Sequence, residues 1–241
     1  MTKIACACLV AFALGSAVFA QKEMKPWTEW TKKDVVKVLN DSAWGQTQLE
    51  TQESSGSSGA VTSTAAPLNR DARQPAPGSI SGSIKYFVRF FSAKPIRQAI
   101  VRKVQLEQPD VAAQRAEQSK AFIELASDQY IIIAVAAEVS DKKMGGGLAQ
   151  AFSKAKVESL KNVIYLQRKD GKRVFLQEYA PPGNAEIGAR FVFPRKLDGQ
   201  PFITPDSGEV RFHAELGPDK QSKIDCRFKI ADMMYNGTLE Y

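Results

Sequence analysis

The chain has 241 residues, with 33 basic against 26 acidic side chains, one histidine and three cysteines, for a formal charge of +7. That length can bury a real hydrophobic core as one large domain or two small ones, so no staple is needed for folding. A charge this moderate is ordinary for solubility and implies no nucleic-acid partner, and one histidine with the one cysteine outside residues 1–20 cannot supply the several His or Cys ligands that zinc and copper sites usually take.

Lys3 is the only charge in residues 1–20. Residues 4–19 are uncharged and mostly apolar, and the run closes on Val18-Phe19-Ala20, the basic, apolar, small-residue order of a secretory signal peptide. The run is shorter than the roughly 20 residues needed to span a bilayer. Residues 1–20 are therefore expected to be cleaved, with the mature protein starting at or near Gln21 and reaching the periplasm or the medium without an integral membrane span. Cys6 and Cys8 sit near the start of the apolar stretch, where neither could be the acylated first residue of a lipoprotein. Cleavage takes Lys3 with it, leaving 32 basic residues against 26 and a charge of +6. It also leaves Cys226 as the sole cysteine, so no intramolecular disulfide is expected.

Residues 21–49 read as a short tryptophan-rich head, since Trp27, Trp30 and Trp44 are all the tryptophans of the chain. Thr31-Lys32-Lys33-Asp34 reads as a capping box, with Trp30 and Val35 at the spacing of a hydrophobic staple. Val35, Val38 and Leu39 share a face, and the pattern predicts a helix over 32–39. Residues 50–83 carry Ser54-Ser55-Gly56-Ser57-Ser58-Gly59, then Pro67, Pro75 and Pro77, with few large apolar side chains. Such a stretch cannot bury enough surface to offset its ordering entropy and predicts a disordered linker, spanning on the order of 30 Å as a flexible coil.

The body, 84–241, opens with a predicted strand at 84–91 and an amphipathic helix at 93–106 that has Pro95 near its start. A second helix is predicted at 110–126, capped by Asp110 and facing inward through Ala113, Phe122 and Leu125. Residues 130–139 are nearly all apolar and predict a central strand covered on both faces. Gly145-Gly146-Gly147 reads as a hinge before a weakly helical 152–160. Strands then dominate, at 163–168, 174–179, 189–193, 209–216, 224–230 and 238–241, with Asp170-Gly171 as a tight hairpin turn. The fold class is α+β, with an α/β first half and an antiparallel sheet or sandwich in the second. For the last two long strands, charge selects the register. Phe212 opposite Cys226 sets Glu215 beside Lys223 and His213 beside Asp225, whereas a slip by two sets Glu215 against Asp225.

The chemistry-bearing residues are few. His213 alternates with apolar neighbours in Val210-Arg211-Phe212-His213-Ala214-Glu215-Leu216, which places it on the solvated face of a half-buried strand, and no Gly-x-Ser-x-Gly elbow accompanies it. Cys226 belongs to the apolar alternate of the next strand and reads as a small core residue. The triple glycine lacks the Lys-Ser/Thr ending of a phosphate loop, and Asn236-Gly237-Thr238 is first a turn signal. The basic, faintly amphipathic stretch 154–161 reads as a solvated helix face, with binding to anionic lipid as the alternative. No catalytic, cofactor or metal residue is assigned. Trp27, Trp30 and Trp44 are the candidate docking residues, expected to bury against the body or against a partner protein or envelope component.

Three segments carry a resemblance. They are Lys25-Pro26-Trp27-Thr28-Glu29-Trp30 through Asn40-Asp41-Ser42-Ala43-Trp44-Gly45-Gln46-Thr47-Gln48, then Ser92-Ala93-Lys94-Pro95-Ile96-Arg97, and last Asp232-Met233-Met234-Tyr235-Asn236-Gly237-Thr238-Leu239-Glu240-Tyr241. Together they resemble uncharacterised exported proteins found mainly in acidobacteria. The resemblance implies a Gram-negative envelope location and carries over no activity and no functional residue. The first functional reading is an exported, non-enzymatic interaction or structural module. The second is an exported hydrolase working through two carboxylates about 5 to 9 Å apart, which assemble only in space. A pocket with facing carboxylates, one of raised pKa, separates the second from the first.

Overall fold

The computed structural model describes residues 25–53, 81–125, 127–140, 142–183, 186–217 and 222–241. The expected signal peptide lies outside them, as do residues 54–80 of the expected linker.

The fold is α+β and is built on two antiparallel sheets. The first runs in the order β1 (Gly45–Glu53), β2 (Ser81–Phe90), β3 (Tyr130–Val139), β7 (Ala189–Pro194), β6 (Glu178–Ala180). The second runs β11 (Ser222–Lys229), β10 (Glu209–Leu216), β4 (Tyr165–Arg168), β5 (Arg173–Phe175). Two short hairpins complete the strands, β8 (Lys196–Leu197) with β9 (Gln200–Pro201) and β12 (Met234–Tyr235) with β13 (Thr238–Leu239). The sheets pack face to face through aromatic side chains that alternate inward along each strand. Phe90 meets Phe228 edge-on at 4.8 Å between centroids, and Phe191 and Phe193 both meet Phe212.

The two sides of this sandwich close differently. On one side residues 176 and 177 carry the chain from β5 in the second sheet to β6 in the first, which divides the single strand expected at 174–179. On the other side β1 reaches β11 through side chains. Gln48 donates to the Lys223 carbonyl at 2.7 Å and accepts from the Asp225 amide at 2.7 Å, and Gln46 donates to the Arg227 carbonyl.

The head boundary differs from the one composition suggests. β1 pairs with β2 from Gly45↔Arg89 to Glu53↔Ser81, so 50–53 and 81–83 are strand, and the head adds an edge strand to the body's own sheet. A polar edge strand has no apolar alternation to read, because its backbone ladder and glutamine side chains hold it in place. Ahead of it, α1 (Lys32–Asn40) carries the expected capping box between Thr31 and Asp34 and buries Val35, Val38 and Leu39. Its last carbonyls, which have no partner inside the helix, are met by the buried Arg89. That guanidinium donates to the Leu39 carbonyl at 3.1 Å, to Asn40 Oδ1 at 2.9 Å and to the Glu186 carbonyl at 2.8 Å.

After β2 come α2 (Lys94–Glu107), α3 (Pro109–Gln114) and α4 (Ala116–Glu124). The helix expected at 110–126 is thus two helices. Pro109 ends α2 at the residue before it, and the chain breaks again at Arg115, which has φ −109° and ψ 20°. The inward face shifts with the break: Ile123 is buried, whereas Leu125 is 59% exposed and Asp110 makes no cap. The triple glycine, expected as a hinge, lies inside α5 (Lys142–Lys154). Each glycine costs a helix about 1 kcal/mol relative to alanine, and burial of Leu148 and Phe152 in the core outweighs that propensity. The short α6 (Val157–Leu160) follows and buries Leu160, while Lys154, Lys156 and Lys161 are exposed. β3 is the central strand of its sheet and is buried on both faces from Ile133 through Ala136. The β10–β11 register is the one that charge selects, with Phe212↔Cys226, Glu215↔Lys223 and His213↔Asp225. The tip of that hairpin, 218–221, lies outside the described residues.

Candidate functional site

The segments that carry the resemblance meet in space. The Trp44 ring stands edge-on to Tyr235 at 6.0 Å, and its indole N–H donates to the Glu240 carbonyl at 2.8 Å. The Glu240 carboxylate accepts from the Lys94 amide at 3.1 Å. This supplies an anion to the first turn of α2, whose own N-cap, Ala93, has no side chain to offer. Tyr235 donates to Gln98 Oε1 at 2.8 Å, one turn further along the same helix. Arg195 lies over the Tyr241 ring at 3.8 Å and donates to its carbonyl at 2.8 Å, while the Tyr241 hydroxyl donates to the Ile203 carbonyl at 3.0 Å. Each polar group named here has its partner within the chain, so this seam is architecture.

The three tryptophans divide accordingly. Trp44 is 4% exposed and Trp30 is 3% exposed, both within the chain's own core. The Trp30 indole N–H donates to the Lys25 carbonyl at 2.9 Å. Trp27, in a single 3-10 turn at Trp27–Glu29, is half-buried, and its indole N–H makes no hydrogen bond among the described residues.

Trp27 borders a groove of about 460 Å³ formed with α2, α3 and α4. The break at Arg115 turns α4 back onto α2, where Lys94 pairs with Glu124 at 2.9 Å and Arg97 donates to the Ile123 carbonyl at 3.0 Å. Between the helices, Ala112, Ala113, Ala116 and Ser119 recur at helical spacing and are too small to fill the gap, which leaves Val101 and Ile123 among the lining. The lining also carries Arg102 and Lys120. Arg102 is fixed from behind, its Nε donating to the Trp30 carbonyl at 2.9 Å and its Nη1 to Gln105 Oε1 at 3.2 Å. The groove was not foreseen from the sequence, though Pro109 and the run of small residues after it signal a helix break that cannot close tightly.

His213 is on the predicted side of β10, opposite to Phe212, but it is 6% exposed and not a surface residue. Neighbours on its own face cover it. Its ring stacks on Tyr165 at 4.8 Å, Nδ1 lies 3.4 Å from Asp225 and Nε2 lies 3.5 Å from Glu215. Arg211 holds the Asp225 carboxylate through two hydrogen bonds. Burial pushes the Asp225 carboxyl up, and hydrogen bonds from Arg211 and His213 outweigh it, leaving the group below its ordinary value. Asp34 and Asp225 are both displaced downwards, the direction opposite to that of a general acid. Cys226 points inward at 4% exposure, and burial pushes its thiol up to about 12, which removes the thiolate that nucleophilic or metal chemistry needs. Among the described residues no three His, Cys, Asp or Glu side chains gather as metal ligands, and no helix is long and apolar enough to cross a membrane.

The sequence matches no family model, no curated protein and no solved structure.

Proposed function

We propose that this chain is an exported, non-enzymatic interaction module and that the Trp27 groove is where it engages its ligand or envelope partner. One observation carries the reading. Of the three tryptophans, Trp27 alone keeps an exposed face and an unpartnered indole N–H among the described residues, and it does so at the edge of a concave, mostly apolar site. The groove volume, about 460 Å³, falls within the range of small-ligand sites, which combine apolar walls with a few polar groups. An indole at such a rim offers apolar area and one donor to whatever enters.

The test uses the purified protein and the neutral fluorophore N-phenyl-1-naphthylamine. The expected result is saturable, blue-shifted probe emission that disappears in Ala116→Trp, which fills the groove from α4, while the circular dichroism of that variant stays native. Absence of saturable binding to the native protein, or unchanged binding in the filled variant, overturns the reading.

A further inference from the structure

We infer that the ligand of this groove is a free, single-chain amphiphile with one anionic head, of the fatty-acid class. The inference rests on the reading of the groove as a binding site and adds the identity of its occupant. Charge complementarity carries it. Two cations, Arg102 and Lys120, line the cleft beside its apolar side chains and the neutral polar Gln105 and Ser119. The acidic side chain in the lining, Glu124, is already paired with Lys94 at 2.9 Å, so the lining presents net positive charge.

The two cations are suited to different parts of the task. Two guanidinium nitrogens of Arg102 are engaged by the Trp30 carbonyl and Gln105, so its charge is held in position before any ligand arrives, and a pre-organised donor costs little further ordering on binding. Lys120 is exposed and has no ion pair among the described residues. A carboxylate between them meets a fixed charge-assisted donor on one side and an adaptable one on the other. The apolar chain behind that head then lies along Val101, Ile123 and the Trp27 ring, with the small faces of Ala112 and Ala116 leaving it room. A bilayer surface is a poorer fit to the same features. Membrane-surface binding uses a broad convex apolar face with cations beside it, whereas this site is concave, bounded by three helices, and of a volume that takes one small ligand.

Displacement of N-phenyl-1-naphthylamine by three twelve-carbon competitors tests this: dodecanoate, dodecanol and dodecylammonium, each below its micelle-forming concentration. Dodecanoate is expected to displace the probe at concentrations about 10-fold below those needed for dodecylammonium, with dodecanol between them, since a partly exposed charge pair contributes a few-fold in affinity and two cations act together. The exposed variant Lys120→Glu is expected to remove that preference or reverse it, read as the ratio of the dodecanoate to the dodecanol displacement concentration, in which any change in probe affinity cancels. Equal displacement by the three competitors overturns the inference while leaving the groove a binding site, and so does a preference for the anion that survives in Lys120→Glu. Sedimentation of the protein with anionic phosphatidylglycerol vesicles, coupled with failure of dodecanoate to compete, also overturns it, in favour of a membrane surface. If the neutral probe itself does not bind, the proposed function fails first, and the inference with it.

Discussion

Trp44 and Trp27 come from the same short polar head, and the regions that receive them use an indole in different ways. At the seam, the Trp44 ring edge is set against Tyr235 and its N–H is bonded to the Glu240 carbonyl. At the groove, Trp27 rests on α2 with one face and its N–H left over. A conspicuous residue in a recognisable motif is therefore structural or available for binding according to how fully its own chain satisfies it. The seam ties three distant segments together, and such long-range contacts are where a single truncation has the greatest effect.

The most direct way to break the contrast is Trp44→Ala. Removing a fully buried tryptophan costs about 3–5 kcal/mol through lost transfer energy and the cavity left behind, and here it also strands the Glu240 carbonyl. The expected result is a large fall in the urea midpoint of unfolding; a loss under about 1 kcal/mol would mean that the seam does not hold the head. The sandwich interior next to the seam offers a second handle through pH. Cys226 is the sole free thiol among the described residues and is pushed up to about 12 by burial. Because its value in the folded state lies above that in the unfolded state, near 9, its contribution is fully present below pH 9 and is lost as pH rises towards 12. This one group is expected to lower stability by about 1.4 kcal/mol per pH unit across that window, with Cys226→Ala flattening the slope in denaturant melts. A thiol reagent at pH 8 is expected to label Cys226 only after denaturant is added.

Gly45 sharpens the comparison at the scale of a methyl group. A Cβ there would sit 2.2 Å from the Leu39 carbonyl oxygen and 2.6 Å from its carbon, where α1 hands over to β1. Backbone cannot move aside as the end of a side chain can, so Gly45→Ala is expected to cost about 2–3 kcal/mol, at the upper end of overpacking. Gly146 and Gly147 meet nothing within 4 Å, and alanine there is expected to stabilise α5 by up to about 1 kcal/mol each. Thermal melts of the three variants check both signs.

What the sequence revealed follows from how local each signal is. The capping box at Thr31 and Asp34, the apolar run of β3 and the charge-selected register of β10 with β11 all depend on neighbours in sequence or directly across a turn, and each is found in the structure. Features that depend on distant partners were not legible. The polar β1 is ordered by a ladder to β2 and by glutamine bonds to β11, neither of which leaves an apolar period. His213 lies on the predicted face, but its burial comes from Tyr165, Asp225 and Glu215, which no alternation pattern records. The triple glycine reads as a break until Leu148 and Phe152 are seen anchoring the helix around it. The groove belongs to the same class, since it is a space between helices and most of its lining carries no signal of its own in the sequence. Nothing in the head's composition distinguishes the indole that finds a hydrogen-bond acceptor across the fold from the one that does not.

The smallest effect on stability, and the sharpest separation of the two regions, is expected from Trp27→Ala. The Trp27 ring already has one face in solvent, so truncation returns to water only the part that touches α2, and no buried acceptor loses its donor. A loss of about 1 kcal/mol is expected, several times below that of Trp44→Ala, because half-exposed area contributes correspondingly less and leaves no closed cavity. Function should move the other way. The ring forms one wall of the groove, and aromatic contact at such a site contributes beyond its area, so binding of N-phenyl-1-naphthylamine is expected to weaken by about 10-fold or more. Trp27→Phe restores an aromatic wall without the N–H and is expected to recover most of the probe affinity. Measured side by side, unfolding midpoints and probe titrations for Trp27→Ala and Trp44→Ala place the two tryptophans on separate axes. A Trp27→Ala protein that loses as much stability as Trp44→Ala, yet binds the probe as the native chain does, would make Trp27 a second piece of the seam and leave the groove without its defining wall.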